Sequence, residues 1–247
     1  MKMKQSKIIS MPITSPLYPP PPYKCEDSET IYFIYDTQSK NIEEILPEPL
    51  KPAPDPTVCV MIRNLHFPGT LGSYGETILN VLSAYEDKIG WYFAYIYCAS
   101  DKALACGREL WGTPKKFGVT EITKRGSAMN GELKIGNDIM IEARVQLVTK
   151  IDRIEMMPKY RGREITNFVL KVIPNAVNGS PEIKQLISIK REAFTLKELW
   201  SCSGTISLKE APGCDPTHKL SPKSEPRVFY DISDYILGYG NVVHNYL

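Results

Sequence analysis

Between residues 119 and 149, three β-prone segments (119–123, 129–135 and 139–149) are separated by Lys124-Arg125-Gly126 and Gly136-Asn137-Asp138. Short runs broken by Gly and Asn at this spacing are hairpin signals, and they leave little room for anything but an antiparallel sheet. Further β-rich runs lie at 32–36, 57–64, 77–85 and 91–97, then at 168–174, 183–190 and 194–200. Helical signals are few. Ser39 or Asn41 can cap a short helix at 42–46 that Pro47 stops, and apolar spacing over 101–110 predicts another that ends at Gly112 and Pro114. A third is expected at 227–237, where Val228, Ile232, Tyr235 and Ile236 suit one helical face. The expected fold is α+β, mainly antiparallel β: a closed or strongly curved sheet with a few peripheral helices.

A chain of 247 residues can bury a sizeable core, and it reads as a single domain over 1–247, with a Pro-rich arm at 1–22. Prolines 12, 16, 19, 20, 21 and 22 give that arm an extended, polyproline-like path. Thirty basic residues against 28 acidic ones leave a net charge of +2, which makes no electrostatic case for nucleic acid or an anionic membrane. The longest apolar runs, such as 91–99, fall far short of a membrane span, and residues 1–12 carry charges where a signal peptide needs an apolar core. A soluble, cytoplasmic protein is expected. The six cysteines form no Cys-x-x-Cys pair and only three histidines are present, so neither a disulfide framework nor a metal site is expected.

One stretch carries chemistry. Gly107-Arg108-Glu109-Leu110-Trp111-Gly112-Thr113-Pro114-Lys115-Lys116 places two lysines directly after a Gly-x-Pro break. Neighbouring ammonium groups repel each other and burial penalises the charged form, so a lysine there can become a neutral nucleophile despite an ordinary pKa of about 10.4. This stretch, continued by Phe117-Gly118, resembles the lysine-bearing signature of the acetoacetate decarboxylase family, itself the standard example of a lysine activated in this way. Other landmarks stand in family order: Ile13-Thr14-Ser15-Pro16, Pro22-Tyr23-Lys24, Leu46-Pro47-Glu48-Pro49-Leu50, Gly72-Ser73-Tyr74-Gly75-Glu76, and Leu170-Lys171-Val172-Ile173-Pro174-Asn175 with Gly179-Ser180-Pro181. The likeness covers nearly the whole chain.

The resemblance implies a β-barrel core, Lys115 as the Schiff-base lysine, Glu76 as the active-site carboxylate, a small keto acid as substrate, no cofactor or metal, and a homo-oligomer. It implies decarboxylation of a β-keto acid such as acetoacetate. An imine-forming aldolase or dehydratase acting on a larger keto acid, or a non-catalytic protein that holds a carbonyl metabolite, are the alternatives. Successive strand residues face opposite ways, so Lys116 is either a secondary contributor or a surface residue, and desolvation is the larger expected cause of a lowered Lys115 pKa. Arg108 and Glu109 read as a structural ion pair. Tyr74 and Tyr97, with Tyr95, are candidates for the cavity wall, although core packing is the commoner role for strand tyrosines.

Two positions depart from the family pattern. Ser28 stands at about the place of an arginine that family decarboxylases use for the substrate carboxylate, and Met61 stands where they carry a second acid. Substrate contact is therefore expected to lean on apolar groups, unless Arg63 or Lys116 does the arginine's work.

Overall fold

The computed structural model describes residues 9–151, 165–211 and 213–247. Residues 1–8 of the Pro-rich arm lie outside these. From Pro22 the arm runs directly into strand β1 (Tyr23–Asp36), which is followed by a short helix α1 (Ser39–Glu43), β2 (Lys51–Pro52), β3 (Thr57–Phe67), β4 (Gly72–Tyr85) and β5 (Lys88–Cys98). Helix α2 (Asp101–Cys106) passes into a π-helical turn (Gly107–Trp111). The rest of the described residues are strand and loop, apart from a 3-10 turn at Thr217–Leu220: β6 (Lys115–Phe117), β7 (Val119–Arg125), β8 (Ala128–Ile135), β9 (Asp138–Lys150), β10 (Thr166–Pro174), β11 (Pro181–Ile189), β12 (Arg191–Leu208), β13 (Arg227–Leu237) and β14 (Asn241–Asn245). No helix among the described residues is long and apolar enough to cross a membrane.

The fourteen strands of the described residues belong to one sheet, in the order β14-β11-β10-β5-β4-β3-β1-β13-β12-β9-β8-β7, with β2 added to β4 and β6 added to β5. The ladders are antiparallel except where β5 meets β10 and β6. The sheet curls until β7 lies against β4, where Thr120 and Thr77 share a hydroxyl hydrogen bond of 2.8 Å. The contact is so close that a Cβ on Gly75 would sit 2.1 Å from the Thr120 carbonyl oxygen, and glycine is required there for that reason. Inside the curl lies the main core, with Phe33, Val60, Ile62, Leu79, Leu133 and Ile141 among its fully buried members. The hydrogen-bonded path is nonetheless open: among the described residues no ladder joins β7 to β14 or back to β3–β5. The sheet is strongly curved rather than a ladder closed into a barrel.

The stretch expected as a third helix is β13, a strand between β1 and β12. Helical spacing misleads here because both faces of the strand are covered. Val228, Phe229, Tyr230 and Asp231 are buried in succession, and where burial alternates, from Asp231 to Ile236, the buried face carries Asp231 and Ser233 beside Tyr235, so no apolar alternation betrays the strand. The first helix begins three residues earlier than expected, with Ser39 and Asn41 inside it and Gln38 at its N-cap making no side-chain capping bond. The second is shorter as an α-helix. Ser100 caps α2 by accepting from the Ala103 N–H, and the π-helical turn that continues it ends at Gly112 with φ of 81°, the left-handed geometry glycine adopts without strain.

Candidate active site

Strand register assembles the site. Across neighbouring strands, directly opposed residues point to the same face. Thr30 opposes Arg63, Arg63 opposes Glu76, and Glu76 opposes Cys98, which sets four side chains in a row from β1 to β5. Two residues before Cys98, Ile96 opposes Lys115 of the short strand β6, so the lysine joins the same face one step along.

Lys115 is 8% exposed and Glu76 4%, and the lysine Nζ lies 2.6 Å from Glu76 Oε2. Arg63, also buried, approaches the other carboxylate oxygen with Nη1 at 3.5 Å. It further donates from Nε to Thr30 Oγ1 at 3.2 Å and from Nη2 to Ser28 Oγ at 3.4 Å and Tyr235 Oη at 2.8 Å. The Tyr74 ring centroid lies 5.3 Å from the Lys115 Nζ. Lys115, Glu76, Arg63, Tyr74 and Tyr235 line a cavity of about 70 Å³, whose apolar wall includes Leu65, Phe67, Leu71, Phe93, Trp111 and Leu237.

The loop before β6 aims the lysine. The Lys115 N–H donates to the Thr113 carbonyl at 2.7 Å, and Arg108 donates from Nη1 to the Lys115 carbonyl at 3.1 Å. The aliphatic chain passes over Gly107, where a Cβ would meet Lys115 Cδ at 2.7 Å. Arg108 and Glu109 do not form the expected ion pair: Glu109 instead accepts from the Tyr18 hydroxyl at 2.5 Å, which ties the N-terminal arm to the π-helical turn.

Burial is the largest influence on the Lys115 amine and pushes its pKa down, but the adjacent Glu76 carboxylate turns the net direction upward, with smaller contributions from Cys98 and Cys106. Burial raises both of those thiols, Cys106 to about 11. The expected lowering of Lys115 is therefore not found, because the pair partner outweighs desolvation.

Of the other expected site residues, Arg63 and Tyr74 line the cavity and three do not. Lys116 points the other way, with 56% of its side chain exposed, and pairs with Asp215 Oδ1 at 2.5 Å. Tyr97 opposes Lys116 in the ladder and donates to the other oxygen of Asp215 at 2.6 Å, while its ring belongs to the main core. Strand alternation turns both away from Lys115. Met61 is packed with Ile78, Ile96 and Phe229 behind the cavity wall. Arg191, Asn167 and Tyr235 do line the cavity and were not foreseen. Arg191 sits in the charged run Lys190-Arg191-Glu192, which reads as a solvated turn, and Tyr235 lies on the strand expected to be a helix. Ser28 is placed beside a guanidinium from the next strand: its hydroxyl accepts from Arg63 of β3.

A buried amine paired with a buried carboxylate in an apolar cavity is the equipment of an enzyme that works on carbonyl compounds. The profile of the family described as acetoacetate decarboxylase (ADC) matches residues 10–247, and the chain belongs to that family. It is 31% identical to acetoacetate decarboxylase 3 of Mesorhizobium japonicum over 96% of this chain and 91% of the relative. It is 30% identical to the acetoacetate decarboxylase of Clostridium botulinum over 100% of this chain and 99% of that one. A solved structure of acetoacetate decarboxylase superposes with a TM-score of 0.89 at 28% identity, covering 99% of this chain and 100% of the other. The chain is thus an enzyme of the carboxy-lyase type.

Proposed function

We propose that the protein decarboxylates a β-keto acid through a Schiff base at Lys115, as the name shared by its relatives suggests. The observation that carries this reading is the 2.6 Å contact between the Lys115 amine and Glu76 inside an apolar cavity. An ammonium cannot attack a ketone. With its pKa raised, Lys115 becomes nucleophilic only by handing a proton to a nearby base, and Glu76 is in direct hydrogen-bond reach. The amine then adds to the keto carbon. Glu76 returns the proton to the carbinolamine oxygen, water leaves, and a protonated imine remains.

The imine is the electron sink. The bond between the α-carbon and the carboxylate breaks, carbon dioxide departs, and the electron pair forms the enamine double bond. The α-carbon takes up a proton and water hydrolyses the imine, which frees the ketone and the lysine. The apolar walls favour the step in which charge disperses from carboxylate into a neutral enamine. Arg63, tied to Glu76, Ser28, Thr30 and Tyr235, holds the carboxylate in place through the cycle.

Borohydride trapping tests the assignment. Reduction in the presence of acetoacetate or a longer β-keto acid should leave a secondary amine on Lys115, visible in peptide mass spectra. No adduct with any keto acid, or an adduct confined to Lys116, would refute the Schiff base.

A further inference from the structure

Three cations, Lys115, Arg63 and Arg191, line the cavity against one carboxylate, Glu76. Lys115 and Arg63 both face that carboxylate, and four of the five guanidinium N–H donors of Arg63 are already committed to protein acceptors. Arg191 differs. It opens β12, is half-buried, and lies with its guanidinium 4.9 Å from the centroid of the Tyr235 ring. Among the described residues no carboxylate pairs with it. The same tyrosine ring has the Arg63 guanidinium at 5.6 Å from its centroid, so the two cations are neighbours along the cavity wall.

A guanidinium partly withdrawn from water costs free energy unless an anion meets it, and its planar fork suits a carboxylate. The cavity carries two positive charges in excess, whereas a simple β-keto acid brings one negative charge. The enclosed 70 Å³ offers roughly five to seven water-sized positions at about 10–15 Å³ each. That accommodates the keto acid head, and Arg191, only half-buried, is the lining cation left for any further group.

We propose that the substrate is a keto acid with a second carboxylate, and that Arg191 is the specificity residue that receives this distal group while the keto carbon reaches Lys115. The inference deepens the Schiff-base reading and rests on it for the chemistry, though not for the anion site. The β-carboxylate leaves as carbon dioxide as described above; the distal carboxylate is retained in the product and changes no bond.

The test compares matched pairs: 3-oxoadipate and 3-oxopimelate against 3-oxohexanoate and 3-oxoheptanoate, with spontaneous decarboxylation subtracted. For the wild type, kcat/KM should favour at least one dicarboxylate over its partner by about 10-fold or more, the size expected of a charge-assisted bidentate contact. Arg191→Gln should remove that preference, chiefly through KM, and Arg191→Lys should restore part of it. Calorimetry with adipate and hexanoate reads the anion site without any imine: adipate should bind tighter to the wild type, and to the Gln variant no better than hexanoate. Equal kcat/KM for both members of each pair, or an Arg191→Gln loss equal on mono- and dicarboxylates, overturns the proposal. Adipate preference without any Lys115 adduct under borohydride would keep the anion site and refute the Schiff base. An adduct with every keto acid but no dicarboxylate preference would do the reverse.

Discussion

Replacing Lys115 with methionine separates two physical pictures of the site. If the lysine were a desolvated neutral amine, its removal would relieve a strain and stabilise the protein at pH 6. The geometry argues for the opposite. Lys115 and Glu76 are both buried and 2.6 Å apart, so methionine leaves a buried carboxylate with Arg63, 3.5 Å away, as its remaining cation. Breaking a buried ion pair from one side costs about 3–5 kcal/mol, and the surviving guanidinium reduces this toward the worth of one charge-assisted hydrogen bond, about 1.5–3 kcal/mol. For a chain of this size that is a fall in melting temperature of roughly 3–12 °C. The pH dependence follows from the direction of the shift. Because the folded pKa of Lys115 is raised, its stabilising contribution is complete below the ordinary lysine value of about 10.4 and disappears only as pH climbs through the higher folded value. Thermal unfolding of wild type and variant at pH 6, 7.5 and 9 should therefore show a destabilised, inactive variant, with no contribution from Lys115 titration to any change in the gap. A variant more stable than wild type at pH 6, with the difference shrinking by pH 9, would refute the pair and restore the neutral amine.

Two further substitutions probe how the lysine is aimed. Lys116→Gln should leave kcat/KM within about threefold and change stability by no more than about 1 kcal/mol, because it breaks a largely exposed pair with Asp215; a loss of 100-fold in kcat/KM would show that Lys116 reaches the substrate. Gly107→Ala places a methyl group 2.4 Å from Thr113 Oγ1 and 2.7 Å from Lys115 Cδ, so it should cost about 1–3 kcal/mol in a denaturant titration and, by displacing the amine from Glu76, roughly 100-fold in kcat/KM. Wild-type kinetics in that variant would mean the lysine is not held by the π-helical turn.

The sheet was legible because its turns are chemical: Gly126 and Gly136 mark the hairpins that join β7, β8 and β9, and the strands flanking them follow. Lys115 and Glu76 were legible through their local motifs. What single-strand reasoning could not supply was anything that depends on which strands become neighbours. β13 lacks apolar alternation because its first half is buried on both faces and the buried face of its second half carries Asp231 and Ser233, so helical spacing appears in it by chance. Tyr235 and Arg191 were lost with that pairing, since they face each other only because β12 and β13 adjoin. The direction of the Lys115 shift was misjudged for a related reason: burial could be inferred from the sequence, but the 2.6 Å carboxylate contact that outweighs it is set by the register of β4, β5 and β6.

Register also explains how the cavity keeps a guanidinium where Ser28 occupies the position of the family's arginine. Thr30 opposes Arg63 across the β1–β3 ladder, and Ser28 lies two residues from Thr30 on the same face. A small hydroxyl at 28 leaves room for the Arg63 side chain to cross from β3, and its Nη2 ends 3.4 Å from Ser28 Oγ. The cation is supplied from the neighbouring strand, and in that place it also meets Glu76, so that one carboxylate is shared between Arg63 and Lys115. That sharing changes what the arginine can do. A guanidinium already bonded to Glu76, Ser28, Thr30 and Tyr235 is a fixture that positions Glu76, the proposed general base, and it has little capacity left to bind a substrate carboxylate. On the proposal above, recognition of an anion falls to the one cavity cation without a carboxylate partner among the described residues, Arg191. On this proposal Arg63 is given over to holding Glu76, and Arg191 is left to receive the substrate's distal carboxylate.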